Sequence, residues 1–272
     1  MAAVKRIAVF RFDRDPSVCR SRVALLRALN PGVEIHGLFG GGPGRKQAVY
    51  RLAGRRFVGL DTLHASPRDG RWNWKHGDLA LAHWYRNVGH GLNFDVAHLV
   101  EWDLLLLGPL ARVYAAVPAD TVGLTCLTPV YTLTGRWEWL QREEDLAQWE
   151  MLLAHARRTW GWDDEPMACL GVGPCFPRAF LDAYAALAMP ELCHDELRLP
   201  LAAQVLGFPL ADTAFRGGWD DRGFDRVFNV GGQSIDHATL ESELRASGGC
   251  RVFHPVRGRL PARLGRLARA RL

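Results

Sequence analysis

Glu101 and Asp103 interrupt the most apolar stretch of this chain. In FDVAHLVEWDLLLLGP, residues 94–109, an apolar run ending at Leu99-Val100 delivers two acids one residue apart, and Leu104 to Leu107 follow at once. In an extended segment, positions i and i+2 point to the same side, so Trp102 is expected to face the other way. Two carboxylates placed like this repel each other unless something positive lies between them, and a divalent cation is the usual solution. The plainer reading, two polar residues at a strand end, wins for most isolated acid-x-acid pairs. The surrounding sequence shifts the balance here.

Other segments carry residues of the same chemical kind. Asp195 and Glu196 open a helix in CHDELRLP, and His254 follows a short strand in VFHPV. Arg11 and Asp13 end the first strand in AVFRFDRDP, and Lys75 and Asp78 lie at the head of WKHGDLALAHWYRNVG. Each has a plain counterpart. An acid in the first turn of a helix compensates its dipole, Arg11 and Asp13 suit surface salt bridges, and a His-Pro dipeptide alone means little.

In chain order these segments resemble the nucleotide-sugar glycosyltransferases of the GT-A type, loosely over residues 4–256. Glu-Trp-Asp stands where that group carries its metal-binding D-x-D, with Glu in place of the first Asp. The resemblance implies Mn2+ or Mg2+ held by Glu101, Asp103 and His254 against the pyrophosphate of the donor. For Glu101 it leaves open a direct bond, a bond through water, or a contact to sugar or ribose. It also implies a nucleotide pocket between Arg11, Asp13, Lys75, Asp78 and Trp102, with Asp78 accepting from base or ribose and Lys75 approaching the phosphates. Asp195 and Glu196 correspond to the acid pair near the acceptor, where one carboxylate takes the proton of the attacking hydroxyl. Asp195 is preferred, since Glu196 can cap the helix start or bind the acceptor.

The function so implied is metal-dependent transfer of a sugar from a nucleotide diphosphate donor, with UDP favoured, to an acceptor hydroxyl with inversion. Two alternatives stand beside it. A nucleotidyltransferase also uses a mixed sheet and carboxylate-bound metal, although GGGPGRK (residues 40–46) is only a loose match to its early phosphate loop. A nucleotide-sugar-binding protein without turnover would keep the fold, and the Glu at position 101 favours it.

The elements that must position these residues alternate strand and helix. Strands are expected over 4–11, 33–39, 94–100 and 121–126, with a further one at 168–173. Ser17 offers an N-cap for the first helix, which Asn30-Pro31-Gly32 stops. A second helix is expected from Trp74 to Gly89, another from Pro109 through LARVYAAV, and another at EEDLAQWEMLLAHARRTW with Leu146, Trp149, Leu152 and Leu153 on one side. FPRAFLDAYAALA follows, and Ser234 is expected to cap IDHATLESELRAS. This order predicts one α/β domain, a mixed central sheet flanked by helices with ligands at the carboxyl ends of strands. The glycines of residues 40–46 match neither a P-loop nor a dinucleotide fingerprint and read as a connection.

Composition narrows the class further. The 272 residues suffice for a real core, and 48% hydrophobic with 23% charged residues excludes a disordered chain. No apolar stretch approaches the ~20 residues of a membrane span, and the start lacks a signal peptide's apolar region, so a cytoplasmic protein is expected. Six scattered cysteines without a C-x-x-C pair argue against a disulfide framework or zinc ribbon. Several of the ten tryptophans, Trp72, Trp74, Trp84 and Trp102, lie beside polar residues, as stacking on bases or sugar rings requires. No nucleic-acid partner is expected. The net charge of +5 gathers in an Arg-rich tail, residues 257–272, which offers a peripheral contact to an anionic membrane surface, although a solvated helix packed on the domain is the plainer reading. Abundant Arg, Ala, Leu and Gly also fit a high-GC bacterial genome.

Overall fold

A seven-stranded sheet organises the computed structural model, which describes residues 3–13, 16–42, 44 and 48–270. Pro43, Arg45 and Lys46 of the glycine-rich connection, the side chain of Arg269, and Arg271 lie outside the described residues. The strands are β1 (Arg6–Phe12), β2 (Glu34–Phe39), β3 (Thr62–Ala65), β4 (Val96–Glu101), β6 (Val122–Pro129), β7 (Met167–Pro177) and β8 (Leu210–Asp212), and β5 (Leu105–Leu106) pairs separately with β9 (Val252–Phe253). The helices are α1 (Pro16–Leu29), α2 (Arg55–Val58), α3 (Gly70–Lys75), α4 (Gly77–Asn87), α5 (Leu110–Val113), α6 (Glu143–Trp160), α7 (Arg178–Ala186), α8 (Asp195–Val205), α9 (His237–Arg245) and α10 (Ala262–Ala270).

Strand order is β3-β2-β1-β4-β7-β6-β8. The first four strands are parallel, and β7 runs antiparallel to both β4 and β6. This is the expected mixed α/β sheet flanked by helices. Parallel strands covered on both faces must be apolar throughout, and Ile7, Ala8, Val9 and Phe10 of β1 are all buried. After β1 the chain moves outward through β2 and β3, then returns to place β4 on the other side of β1. Such a reversal leaves a crevice beyond the carboxyl ends of the two inner strands. Arg11 and Glu101 lie at those ends and are register partners.

Three expected elements are re-cut by tertiary contacts. The helix expected from Trp74 begins earlier, with Asp69 as N-cap accepting from the Trp72 N–H at 2.9 Å, and breaks at His76 into α3 and α4. LARVYAAV gives only the single turn of α5, because Tyr114 turns inward and donates its hydroxyl to the Gly173 carbonyl at 3.1 Å. Asp236, not Ser234, caps α9 by accepting from Thr239 N–H at 2.7 Å, while Ser234 Oγ accepts from Arg257 N–H at 3.1 Å. On α6 the buried stripe is Trp149, Leu152 and Ala156, and Leu146 stays exposed.

The Arg-rich tail belongs to the same body. Leu264 and Ala268 of α10 are buried in the core beside α1, and Leu260 and Leu267 pack against it. Arg22 of α1 fastens the segment before it, donating to the carbonyls of Val256 at 2.8 Å and Gly258 at 2.7 Å. No described helix is long and apolar enough to cross a membrane.

Candidate active site

A cleft of about 370 Å3 opens at the carboxyl ends of β1 and β4. That volume lies within the range of small-ligand sites. Arg11, Asp13, Glu101, Trp102, Asp103, Asp195, Glu196 and His254 all line it, so eight of the ten residues singled out in the sequence converge on one place.

The two acids of Glu-Trp-Asp are not arranged as an extended pair. β4 ends at Glu101, and Leu104 N–H donates to the Glu101 carbonyl at 3.0 Å, closing a turn that aims Trp102 and Asp103 into the cleft together. Glu101 is buried, with Oε2 accepting from Gly173 N–H at 3.0 Å and Oε1 3.6 Å from the Arg11 guanidinium. Burial pushes its carboxyl up to about 7, against the opposing pull of Arg11.

Asp103 meets His254 instead. The β5–β9 pairing sets Leu105 opposite Phe253, and Val256 N–H donates to the Asp103 carbonyl at 2.7 Å, so the late histidine is brought to the turn. His254 Nδ1 donates to the Asn229 carbonyl at 2.8 Å, since a carbonyl can only accept. This fixes the tautomer and leaves the Nε2 lone pair 3.9 Å from Asp103 Oδ1. Burial lowers the pKa of His254, which favours the neutral ring that metals require. A carboxylate beside an imidazole oriented through its other nitrogen fits a divalent cation. Glu101 does not join them, and among the described residues no group of three or more His, Cys, Asp or Glu side chains is arranged to hold a metal ion. Two protein ligands suit a cation whose remaining positions go to phosphate and water. Arg257 lies 4.0 Å from the other Asp103 oxygen and adds positive charge there.

Across the cleft, β7 and α8 place the acid pair. Pro200 lies inside α8 and cannot donate to the Glu196 carbonyl; the Cys169 thiol takes that place at 3.6 Å. Glu196 has both oxygens engaged, accepting from Trp139 Nε1–H at 2.7 Å and Gly171 N–H at 2.9 Å. Burial raises its pKa, with His194 opposing. Asp195 is held by ionic contacts instead, 2.8 Å from His194 Nδ1 and 3.8 Å from Arg11. Burial works against its charge, but His194 and Arg11 outweigh it and keep the carboxyl below the usual range. Asp195 is therefore an ionised carboxylate facing the cleft.

Two expected ligand contacts are replaced by structural ones. Asp78 is fully buried, accepting from Arg198 Nε at 2.8 Å and from the Tyr184 hydroxyl at 2.6 Å, and it does not reach the cleft. Breaking such a buried pair typically costs about 3–5 kcal/mol, so Asp78 fastens α4 to α8 and recognises no ribose. Lys75 turns away to Gln148 at 3.0 Å and Asp145 at 3.6 Å on α6.

No protein-family model and no curated protein matches this chain. Solved structures resemble it weakly. One is a galactosyltransferase, LgtC, with donor and acceptor sugar analogues: 12% identity, TM-score 0.36, covering 67% of this chain and 60% of that one. A mycobacterial protein matches at 16% identity and TM-score 0.42, over 77% of this chain and 65% of its own. The apo structure of the bifunctional glycosyltransferase WbbM matches at 10% identity and TM-score 0.43, over 94% of this chain and 46% of its own. This chain thus spans less than two thirds of the length of each, and the function proposed below rests on the cleft.

Sequence reading passed over several cleft residues. His194, Trp139 and Arg257 all line it, as does Trp74, which was marked only as one of several tryptophans suited to stacking. His194 stood beside the acid pair in the sequence, and its stacking on Trp139 at 4.4 Å explains its place. Gly77 gave no signal at all. A Cβ there would lie 1.6 Å from Arg11 Nη1 and 2.7 Å from Asp195 Oδ2, so its missing side chain is what lets the guanidinium sit between the acids. Helix propensity alone predicts that Gly77→Ala stabilises by about 1 kcal/mol. The clash predicts a loss of about 1–3 kcal/mol, as overpacking does, and the clash should win. A lowered denaturation midpoint is the expected result, and a raised one would contradict the placement of Arg11.

Proposed function

We propose that this protein is a metal-assisted glycosyltransferase that moves a sugar from a nucleoside diphosphate donor to an acceptor hydroxyl. One observation carries this reading. A single cleft at the strand reversal holds a carboxylate–imidazole pair suited to a cation and, across Arg11, an ionised acid at a helix head.

In this reading Asp103 and His254 hold Mn2+ or Mg2+, which when bound neutralises the diphosphate and acts as a Lewis acid on the leaving group. Arg257 adds charge on the same side. Glu101 orients Arg11 and stays close to the sugar or ribose. Asp195 takes the proton of the acceptor hydroxyl, while Glu196, tied to Trp139 and Gly171, fixes the start of α8. A base separate from the metal pair suits direct displacement, hence inversion at the anomeric carbon. UDP is the favoured nucleotide on resemblance alone.

Product analysis with a donor panel tests this. Release of UDP or GDP from nucleotide sugars in the presence of Mn2+ is expected. Release of pyrophosphate from a nucleoside triphosphate would favour nucleotidyl transfer, and binding without release would favour a non-catalytic protein.

A further inference from the structure

Trp74 is the only tryptophan that stands exposed among the described residues, at 56%, and it does so on the wall of the cleft. The other tryptophans are buried or half-buried: Trp72 is half-buried and donates to Glu191, and Trp84 lies in the core. Trp74 projects from α3 edge-on to His194, with ring centroids 5.0 Å apart at 68°, and lies 5.6 Å from Trp139. His194 in turn stacks on Trp139 and touches Asp195, and Trp139 donates to Glu196. The aromatic surface and the acid pair therefore form one continuous wall. The Asp103–His254 pair is held by other elements, the turn after β4 and the end of β9.

A wall of this composition selects its ligand by chemistry. An aromatic face favours a flat apolar surface, and carboxylates favour hydroxyl donors. A pyranose ring offers both, with axial C–H groups on one face and hydroxyls around the rim. A lipid chain would offer the carboxylates no hydroxyl, and an anionic ligand would be repelled by Asp195 and Glu196. A nucleobase stacks equally well, but it would have to lie beside the acids instead of reaching the cation pair with its phosphates.

We propose that the acceptor is a pyranoside whose ring packs on Trp74 and whose reactive hydroxyl is directed at Asp195. This rests on the transfer reading above but is tested by binding. Saturation-transfer NMR on the full chain, with Mn2+ and UDP present, would use methyl β-D-galactopyranoside and methyl β-D-glucopyranoside as probes and sorbitol as the acyclic control. At least one pyranoside should bind saturably and sorbitol should not. Trp74→Ala should weaken that binding about tenfold or more, as truncating an aromatic anchor does, Trp74→Phe should retain most of it, and UDP affinity should be unchanged in both. Failure of both pyranosides to bind, equal binding by sorbitol, or unaltered binding to Trp74→Ala would overturn the proposal. So would a loss of UDP affinity in Trp74→Ala, which would seat the base on the indole. The transfer reading fails separately: pyranoside binding through Trp74 without nucleotide release from any donor would leave a sugar site and remove the reaction.

Discussion

Replacing Asp103 by alanine is expected to lower turnover by about 1000-fold or more, while the melting temperature stays close to that of the parent protein. Loss of the charge that holds the cation removes stabilisation of the departing diphosphate, the largest electrostatic contribution available in this cleft. The fold should tolerate the change, because among the described residues the ion pairs of the carboxylate are long, 3.9 Å to His254 and 4.0 Å to Arg257. Its carbonyl, which accepts from Val256 N–H, survives the substitution. Single-turnover rates of nucleoside diphosphate release, taken beside thermal melts, check both halves. Full activity in the variant, or in chelator-treated protein, would remove the metal from the mechanism.

The second large effect concerns the proton. Asp195→Asn keeps the shape of the side chain and removes its capacity to accept a proton, so the chemical step should fall by roughly 100-fold or more with donor affinity nearly constant. Glu196→Gln should behave differently. Both Glu196 oxygens accept from N–H groups, Trp139 and Gly171, and an amide must turn its own NH2 against one of them. That variant should lose stability as well as rate; Asp195→Asn also leaves His194 and Arg11 without their counter-charge, so the rates are compared at a temperature where both variants remain folded. Pre-steady-state kinetics and the anomeric configuration of the product separate the cases. Near-normal rates in both variants, or retention of configuration, would exclude a base at this position.

Much of the architecture was legible because strong local signals agreed with the final packing. The apolar runs that became β1, β2 and β4 gave the alternation of strand and helix, and the two acids at the end of β4 marked the cleft. What the sequence hid depended on contacts between distant segments. The turn at Glu101–Leu104 replaced the extended geometry that would have aligned Glu101 with Asp103, and it sent Asp103 to His254 while Glu101 went to Arg11 and Gly173. Asp78 had the look of a ligand at a helix start, yet its partner Arg198 lies 120 residues away and takes it out of solvent entirely. Lys75 was lost to α6 in the same way. Gly77 gave no local signal of its own, and the polar neighbours that marked Trp74 marked Trp72 and Trp84 equally, since the value of a missing Cβ or an exposed indole is set by neighbours that the sequence does not bring together.

The central claim is that Asp103 and His254 hold a cation that in turn holds a nucleoside diphosphate, and calorimetric titration of UDP tests it most directly. With Mn2+ present UDP should bind at least about tenfold more tightly than with EDTA, because the ion bridges protein and phosphate oxygens. In Asp103→Ala that gain should vanish. Equal affinity with and without Mn2+ in the parent protein, or an undiminished gain in the variant, would contradict it.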